Sequence, residues 1–232
     1  KSVDLPQSYA DVKSVVLTGL GGSAAGGDFT RALFEAQGKK PFAVNRDYHL
    51  ANCVGPDTLV FATSYSGNTE ETLSAYADAK RRGAKIICVT NGGKLAEAAK
   101  ADGNPLIVIP AGQPPRTALG YLLIPVVWAC VKLGLLPEQD FEAAFKLLDE
   151  CVAKWQIETP LESNPTKQLA VTLEGSLSVL YGLGVWQAIV ANRWKGQINE
   201  NSKNMTFANA FPELNHNEIL GWVLANKQGV NK

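Results

Sequence analysis

The segment Thr58–Arg82 joins an apolar run to a charged helix through a short polar turn. Its first residues, TLVFAT, are apolar or β-branched, which predicts a buried strand over 58–63. Glu70 and Glu71 open the following helix and three basic residues, 80–82, close it, in the order that the helix dipole favours. A buried strand that leads directly into a helix is typical of α/β proteins with a parallel sheet.

The turn between this strand and helix carries three hydroxyl side chains, from Ser64, Ser66 and Thr69, together with Gly67. At such a junction the unpaired N–H groups and the dipole of the helix attract an anion, and small hydroxyls add hydrogen-bond donors. Glycine lets the backbone approach the ligand closely. One hydroxyl would suffice as a helix cap. Three of them after a buried strand favour a phosphate-binding site.

The same order of strand, turn and helix recurs along the first part of the chain. Strands are predicted over 14–18, 41–45, 58–63, 85–90 and 105–110. Helices are predicted over 28–38, 70–82, 94–101, 117–135 and 138–155. This alternation predicts an α/β domain over 1–157, with a parallel sheet flanked by helices on both faces. Because all the turns leave the carboxyl ends of parallel strands, they gather along one edge of the sheet.

A polar, proline-flanked stretch, 158–165, predicts a linker to a second domain over 158–232. Its predicted elements are helices over 166–174, 185–201 and 212–222 and strands over 177–183 and 206–211. Here too we expect a parallel sheet flanked by helices. The glycine-containing turn at 182–186 lacks the hydroxyl cluster, so phosphate binding is expected in the first domain only. The chain begins without Met and stops abruptly, so we expect a fragment whose second domain is incomplete.

The composition excludes several other classes of protein. The 232 residues contain 46% hydrophobic and 19% charged residues, as globular proteins do. Lys plus Arg equals Asp plus Glu, at 22 each, so no net charge recruits nucleic acid or an anionic membrane. The apolar stretch 119–136 contains Pro125 and Lys132, which predicts a buried helix rather than a membrane span. The four cysteines are widely spaced and no secretory signal is evident, so we expect a cytoplasmic protein with reduced thiols.

The glycine-rich stretch 19–27, between the first strand and helix, allows a second interpretation as a dinucleotide site. It matches G-x-G-x-x-G only loosely. The acidic residue that should close the second strand is replaced by Asn45, and Asp47 comes late. Dinucleotide binding is therefore the weaker interpretation of this turn.

The run S-Y-S-G-N-T-E-E-T at 64–72 resembles the phosphosugar-binding loop of the sugar isomerase (SIS) domain family, and in particular of the bifunctional phosphoglucose/phosphomannose isomerases. Stretches 19–27, 115–120 and 199–216 share the resemblance. It implies two SIS-type domains and an aldose–ketose isomerase. The reaction would interconvert glucose 6-phosphate, and also mannose 6-phosphate, with fructose 6-phosphate through an enediolate. The phosphate-binding residues that the resemblance implies are Gly22, Ser23, Ser64, Ser66 and Thr69.

Such a reaction needs a base that moves a proton between C1 and C2, a cation beside the enediolate and an acid/base that opens the ring. The resemblance assigns these roles to Glu200 of the N-E-N run at 199–201, to Arg116 and to His216. Taken alone, a glutamate such as Glu200 is usually a solvated surface charge, and a histidine such as His216 is more often structural. Arg116 alone is equally consistent with a surface charge and with a partner for a phosphate or an oxyanion. The sixteen-residue spacing of Glu200 and His216 is that of the family, in which this histidine reaches in from the neighbouring subunit. A homodimer is therefore implied.

No metal or cofactor is expected, because His49 and His216 are isolated and no carboxylate cluster has ligand spacing. Relatives continue into a C-terminal segment that supplies a lysine, for which this chain shows no counterpart, so we expect poorer turnover. The alternative function is a SIS sensor that binds a phosphosugar without converting it. A sensor would not need the Glu200–His216 pair, and no helix-turn-helix or basic arm is evident. Amidotransferase-linked aminosugar synthases and sedoheptulose phosphate isomerases are other SIS relatives that stay open.

Overall fold

Five strands in the first half of the chain form one parallel sheet. They are β1 (Ser14–Thr18), β2 (Phe42–Asn45), β3 (Thr58–Thr63), β4 (Lys85–Thr90) and β5 (Leu106–Val108). The computed structural model describes residues 3–229, and the order of the strands in the sheet is β2-β1-β3-β4-β5. Every residue of β3 is buried, because the sheet is covered on both faces.

Two helices pack on each face of this sheet. They are α1 (Gly21–Gln37), α2 (Glu70–Arg81), α3 (Gly93–Ala101) and α4 (Leu119–Lys132). On one face Val60 and Cys88 of the strands share a buried cluster with Tyr76 of α2 and Leu95 of α3. On the other face α1 packs against both the sheet and α4. The prediction of an α/β fold with a helix-covered parallel sheet is confirmed for this part of the chain.

Helix α1 begins at Gly21, seven residues before the predicted start at 28, so that prediction is wrong. The glycines that indicated an open turn belong to the first turns of the helix. A Cβ built on Gly26 would lie 3.1 Å from the backbone of Leu122 in α4, and one on Gly27 would lie 2.7 Å from the side chain of Leu17 in β1. The glycines therefore let α1 approach the sheet and α4 closely.

Prolines set the bounds of the next elements. Strand β5 is shorter than the predicted 105–110, since Pro105 and Pro110 both lie outside it. Residues Pro115–Thr117 form a 3₁₀ turn, and α4 follows it from Leu119 and accommodates Pro125. Within residues 3–229, no helix combines the length and apolar content needed to cross a membrane.

The contacts within the chain define two compact units, 1–137 and 138–232. The sequence places the linker at 158–165, and the assignment of two domains over 1–157 and 158–232 stays a prediction. The second unit contains α5 (Phe141–Trp155), α6 (Pro165–Leu173), β6 (Ser178–Leu183), α7 (Gly184–Gln197) and β7 (Thr206–Phe211). Strands β6 and β7 pair in parallel, and α7, which connects them, packs on both.

Two predicted helices of the second unit differ from the structure. The helix predicted over 185–201 ends as an α-helix at Gln197 and continues as one π-helical turn, Ile198–Ser202. The helix predicted over 212–222 is broken at Asn217, whose φ of −149° and ψ of −73° are not helical. It divides into a 3₁₀ turn, Glu213–His216, the four-residue α8 (Glu218–Gly221) and a further 3₁₀ segment, Trp222–Gln228.

Candidate functional site

Strands β1 and β3 lie side by side at the centre of the sheet, and the strand order changes direction between them. Open α/β sheets of this order bind ligands outside the carboxyl ends of the strands at this switch point. The hydroxyl of Thr63, the last residue of β3, donates to the carbonyl of Thr18, the last residue of β1, at 3.2 Å. The segments that follow these two residues, 19–23 and 64–69, are the two for which phosphate binding was predicted. They leave adjacent strands at the same edge.

The three hydroxyls of the 64–69 loop have different surroundings. Ser64 is 1% exposed, and its Oγ accepts from the Gly67 N–H at 3.1 Å and lies 2.9 Å from Oγ1 of Thr69. Ser66 is exposed, and its Oγ accepts from the Asn68 N–H at 3.2 Å. Thr69 is the N-cap residue of α2, yet no capping bond to its hydroxyl occurs within residues 3–229. The hydroxyls thus stabilise the loop and each other, and the alternative that they cap the helix does not account for them.

Two glycines fix the shape of this loop. Gly67 has a φ of +71°, and a Cβ built on it would lie 1.8 Å from the carbonyl oxygen of Gly92 in the β4–α3 turn. Gly93 has a φ of +67°, and its Cβ would lie 2.5 Å from the carbonyl oxygen of Ser66. The Leu95 N–H donates to the Gly67 carbonyl at 2.9 Å. The two turns therefore pack backbone to backbone, which only residues without a Cβ allow.

The segment that leads from β1 into α1 lies against the end of β3. A Cβ built on Gly19 would lie 2.7 Å from Oγ1 of Thr63 and 3.0 Å from Cβ of Ser23. Ser23 is buried, and Gly19 therefore lies between it and the residue that precedes Ser64. A Cβ on Gly22 would lie 2.8 Å from the carbonyl oxygen of Pro115. Gly19 thus contacts the end of β3, and the first turn of α1 contacts the turn that contains Arg116.

The structure therefore brings the site residues predicted for the first domain together around the switch point. Arg116 is half-buried in the 3₁₀ turn beside Gly22. One residue of this region, Tyr65, was missed by the sequence analysis. Its hydroxyl donates to the Pro110 carbonyl at 3.1 Å and accepts from the Gln113 N–H at 2.9 Å. No local pattern signals these bonds, since the partners are 45 and 48 residues away.

Glu200 and His216, the other two predicted catalytic residues, lie in the second unit on either side of β7. Glu200 is exposed in the π-helical turn, a feature that is frequent at functional sites. The side chain of Asn199 ties this turn to β7, because its Oδ1 accepts from the Thr206 N–H at 2.8 Å. Burial lowers the pKa of the nearby Arg193, and the charge of Glu200 acts in the opposite direction. His216 is exposed at the end of the 3₁₀ turn that follows β7.

A hydrogen-bonded cluster holds the chain after His216. The Tyr181 hydroxyl and the Asn209 amide of the paired strands both donate to the carboxylate of Glu218. Trp222 Nε1 donates to the Tyr181 oxygen at 2.6 Å. The bonds from Tyr181 and Asn209 lower the pKa of Glu218. The cluster links β6 and β7 to α8, two residues beyond His216.

No group of three or more His, Cys, Asp or Glu side chains that could hold a metal ion occurs among the residues described, 3–229. The positions that the geometry offers to a ligand are the hydroxyls and backbone groups at the switch point. Their chemistry suits an anion rather than a cation. The absence of a cofactor stays a prediction from the sequence.

The parallel sheet of order 2-1-3-4-5 and the hydroxyl loop at its switch point define a SIS-type α/β protein. The SIS domain model matches residues 8–112, and the model described as "Bacterial phospho-glucose isomerase C-terminal SIS domain" matches 162–231. The chain belongs to the family of bifunctional phosphoglucose/phosphomannose isomerases. The resemblance drawn from the sequence is confirmed.

Two relatives and one solved structure illustrate the similarity. The bifunctional phosphoglucose/phosphomannose isomerase of Caldicellulosiruptor bescii is 49% identical over 223 residues, covering 95% of this chain and 66% of the relative. That of Aquifex aeolicus is 40% identical over 222 residues, covering 94% and 65%. The chain therefore spans just under two thirds of the length of each. The C-terminal domain of glucosamine-fructose-6-phosphate aminotransferase from Francisella tularensis matches with a TM-score of 0.65 at 18% identity, covering 92% of this chain and 63% of that one. This last match concerns the fold alone.

Proposed function

We propose that this protein is an aldose–ketose isomerase that interconverts glucose 6-phosphate and mannose 6-phosphate with fructose 6-phosphate. The observation that carries the proposal is the hydroxyl loop at the switch point of the sheet, in a chain that belongs to a family of hexose phosphate isomerases. Because Ser64 and Ser66 accept hydrogen bonds from backbone N–H groups within the loop, their O–H groups can still donate to an anionic ligand.

In this proposal the substrate phosphate binds between the two segments that leave β1 and β3. Ser64, Ser66 and Thr69 donate from one side and Ser23 from the other, and Gly22 lets the backbone approach closely. The Ser64 and Thr69 hydroxyls lie 2.9 Å apart, so one donates to the other and the second is left to donate to phosphate. The positive ends of α1 and α2 add to the attraction.

The proposed chemistry is a proton transfer between adjacent carbons. His216, contributed by the partner in a homodimer, transfers the proton that opens the sugar ring. Glu200 then removes the proton from C2 of the aldose, and Arg116 stabilises the negative charge of the resulting enediolate. Glu200 returns the proton to C1, while a hydroxyl proton moves from O2 to O1, which gives the ketose. No metal or cofactor takes part in this route, and the cytoplasm is the proposed location.

The decisive experiment is a coupled assay with each hexose 6-phosphate, in the presence and absence of a metal chelator. We expect turnover that chelation does not change. The Glu200→Gln variant should lose turnover by about 10²–10⁴-fold, the usual contribution of a general base, while it still binds fructose 6-phosphate within a few-fold. Glu162→Gln, an exposed carboxylate elsewhere in the second unit, is the matched control and should leave turnover unchanged.

Three outcomes would contradict parts of the proposal. Wild-type turnover by Glu200→Gln would show that another group moves the proton. Loss of activity on chelation would point to a metal-dependent reaction. Binding of the sugar phosphates by the wild-type protein, with no turnover of any of them, would favour the phosphosugar sensor.

A further inference from the structure

Tyr65 stands between the two phosphate-loop residues Ser64 and Ser66, yet its side chain reaches a different part of the chain. It is 6% exposed, and its hydroxyl donates to the Pro110 carbonyl at 3.1 Å and accepts from the Gln113 N–H at 2.9 Å. The Tyr65 carbonyl accepts from the Asn91 N–H at 3.1 Å. The residue is therefore fixed at both its backbone and its hydroxyl, and it connects the 64–69 loop to the segment that follows β5.

The segment that the hydroxyl holds leads directly to Arg116. Two prolines, Pro114 and Pro115, follow Gln113. Because the ring of each fixes φ, the backbone between Gln113 and Arg116 has little conformational freedom. The Thr117 N–H donates to the Pro114 carbonyl at 2.9 Å and closes the turn around Arg116. On its other side the turn meets the first turn of α1, through the contact of Gly22 with Pro115.

We propose that Tyr65 is a positioning residue, whose hydroxyl keeps the Arg116 turn at a fixed place relative to the bound phosphate. The inference rests on the proposed isomerase function. The phosphate anchors one end of the hexose, and the guanidinium must meet the oxygens at the other end, where the enediolate forms. A cation contributes most when it is in place before the charge develops, and a displacement of about 1 Å can cost up to about 10²-fold in rate.

A second tyrosine of the same unit supplies a matched control. Tyr76 is 4% exposed, and its hydroxyl donates to Asp102 at 2.7 Å and accepts from the Asn104 amide at 2.9 Å. It therefore also makes one bond as donor and one as acceptor. Its partners, however, lie between α3 and β5, at the amino edge of the sheet, away from the switch point. Tyr65→Phe and Tyr76→Phe each remove one donated and one accepted hydrogen bond, at opposite edges of the sheet.

The kinetic test uses fructose 6-phosphate and the full chain. We expect Tyr65→Phe to lower kcat about 10- to 100-fold with KM within about threefold, because the phosphate loop stays intact while the cation loses its position. Tyr76→Phe should keep kcat within about twofold. In an Arg116→Gln background, Tyr65→Phe should cause little further loss, because a residue that acts through Arg116 has no effect without it. An unchanged kcat in Tyr65→Phe, or a loss of equal size in both backgrounds, would overturn the inference.

Amide hydrogen exchange tests the same contact without relying on catalysis. The Gln113 N–H should exchange at least about tenfold faster in Tyr65→Phe than in the wild-type protein, and at the wild-type rate in Tyr76→Phe, because only the first change removes its acceptor. If the wild-type protein converts no hexose phosphate, the proposed function fails, and exchange alone decides whether Tyr65 holds this segment. Equal exchange in all three proteins would refute the positioning role.

Discussion

Replacing Gly67 with alanine would test whether the packing of two turns shapes the 64–69 loop, which we propose binds phosphate. The φ of this residue is +71°, a left-handed conformation that costs an alanine about 1–2 kcal/mol. The new Cβ would also lie 1.8 Å from the Gly92 carbonyl oxygen and 2.8 Å from Oγ1 of Thr90. The nearer atom belongs to the backbone, so the contact can be relieved only if one of the two turns moves.

Gly83 supplies a control with the same backbone conformation and no crowding. Its φ is also +71°, but among residues 3–229 a Cβ there would meet only the Pro56 side chain, at 3.8 Å. Gly83→Ala should therefore lower the free energy of unfolding by about 1 kcal/mol. This value is the cost of the left-handed conformation, reduced by the gain from the lower conformational entropy of the unfolded alanine chain. Gly67→Ala should lower it by about 3 kcal/mol or more, since the clash adds to the same cost.

Urea unfolding gives the two stabilities, and titration with fructose 6-phosphate gives the two affinities. Gly67→Ala should bind the sugar phosphate at least about tenfold more weakly, because movement of the loop displaces the donors at Ser64 and Ser66, whereas Gly83→Ala should bind as the wild-type protein does. If the two variants match in stability and affinity, the contact between the turns does not set the geometry of the loop, and the reasoning is wrong.

Two further predictions concern a hydroxyl and a carboxylate of the first unit. Ser64→Ala should weaken the binding of fructose 6-phosphate by about 10- to 100-fold, the cost of one hydrogen bond to a charged group, whereas Ser176→Ala in the second unit should not; equal affinities by titration would remove Ser64 from the site. Asp78 is buried, and donors from Arg82, Leu50 and Arg81 hold its pKa well below the usual range. The pKa of Asp78 is lower in the folded protein than in the unfolded chain, where it is about 4. The carboxylate therefore stabilises the folded state at pH values above about 4, and this stabilisation is lost as the pH falls further. Asp78→Asn should therefore be less stable than the wild-type protein by about 1–3 kcal/mol at pH 7 and show a smaller loss of stability on acidification; parallel unfolding curves from pH 7 to 3 would contradict this assignment.

The sequence predicts the central strands well because both of their faces are buried. The predicted bounds of β3 and β4, Thr58–Thr63 and Lys85–Thr90, are those of the structure, since a strand covered on both sides is a continuous apolar run between polar turns. The start of α1 was not predictable in the same way. The glycines at 26 and 27 are explained by Leu122 and Leu17, which come from distant parts of the chain.

The same distinction applies to the predicted site: local sequence patterns reveal some of its residues, whereas others depend on partners far away in the chain. Hydroxyls at the end of a buried strand are a local pattern, and the structure places Ser64 and Thr69 within 2.9 Å of each other. Tyr65 carries no such pattern, because what its hydroxyl does depends on Pro110 and Gln113. The break at Asn217 was not predictable either. The polar run around this residue is compatible with a continuous helix, but the backbone of Asn217 is not helical.

The predicted residues lie on two units, so the effects of substitutions in each unit can distinguish the isomerase hypothesis from the sensor hypothesis. The groups proposed to bind phosphate all belong to the first unit, and Glu200 and His216 belong to the second. In an isomerase, substitutions at Ser64 act mainly on binding, whereas those at Glu200 act on kcat with binding nearly intact. Tyr65 and Arg116 are the informative exceptions, because they lie in the first unit, with the groups proposed to bind phosphate, and yet should act on kcat. A sensor has no step for them to accelerate, so an effect of either residue on turnover that exceeds its effect on affinity can arise only if this unit takes part in the chemistry.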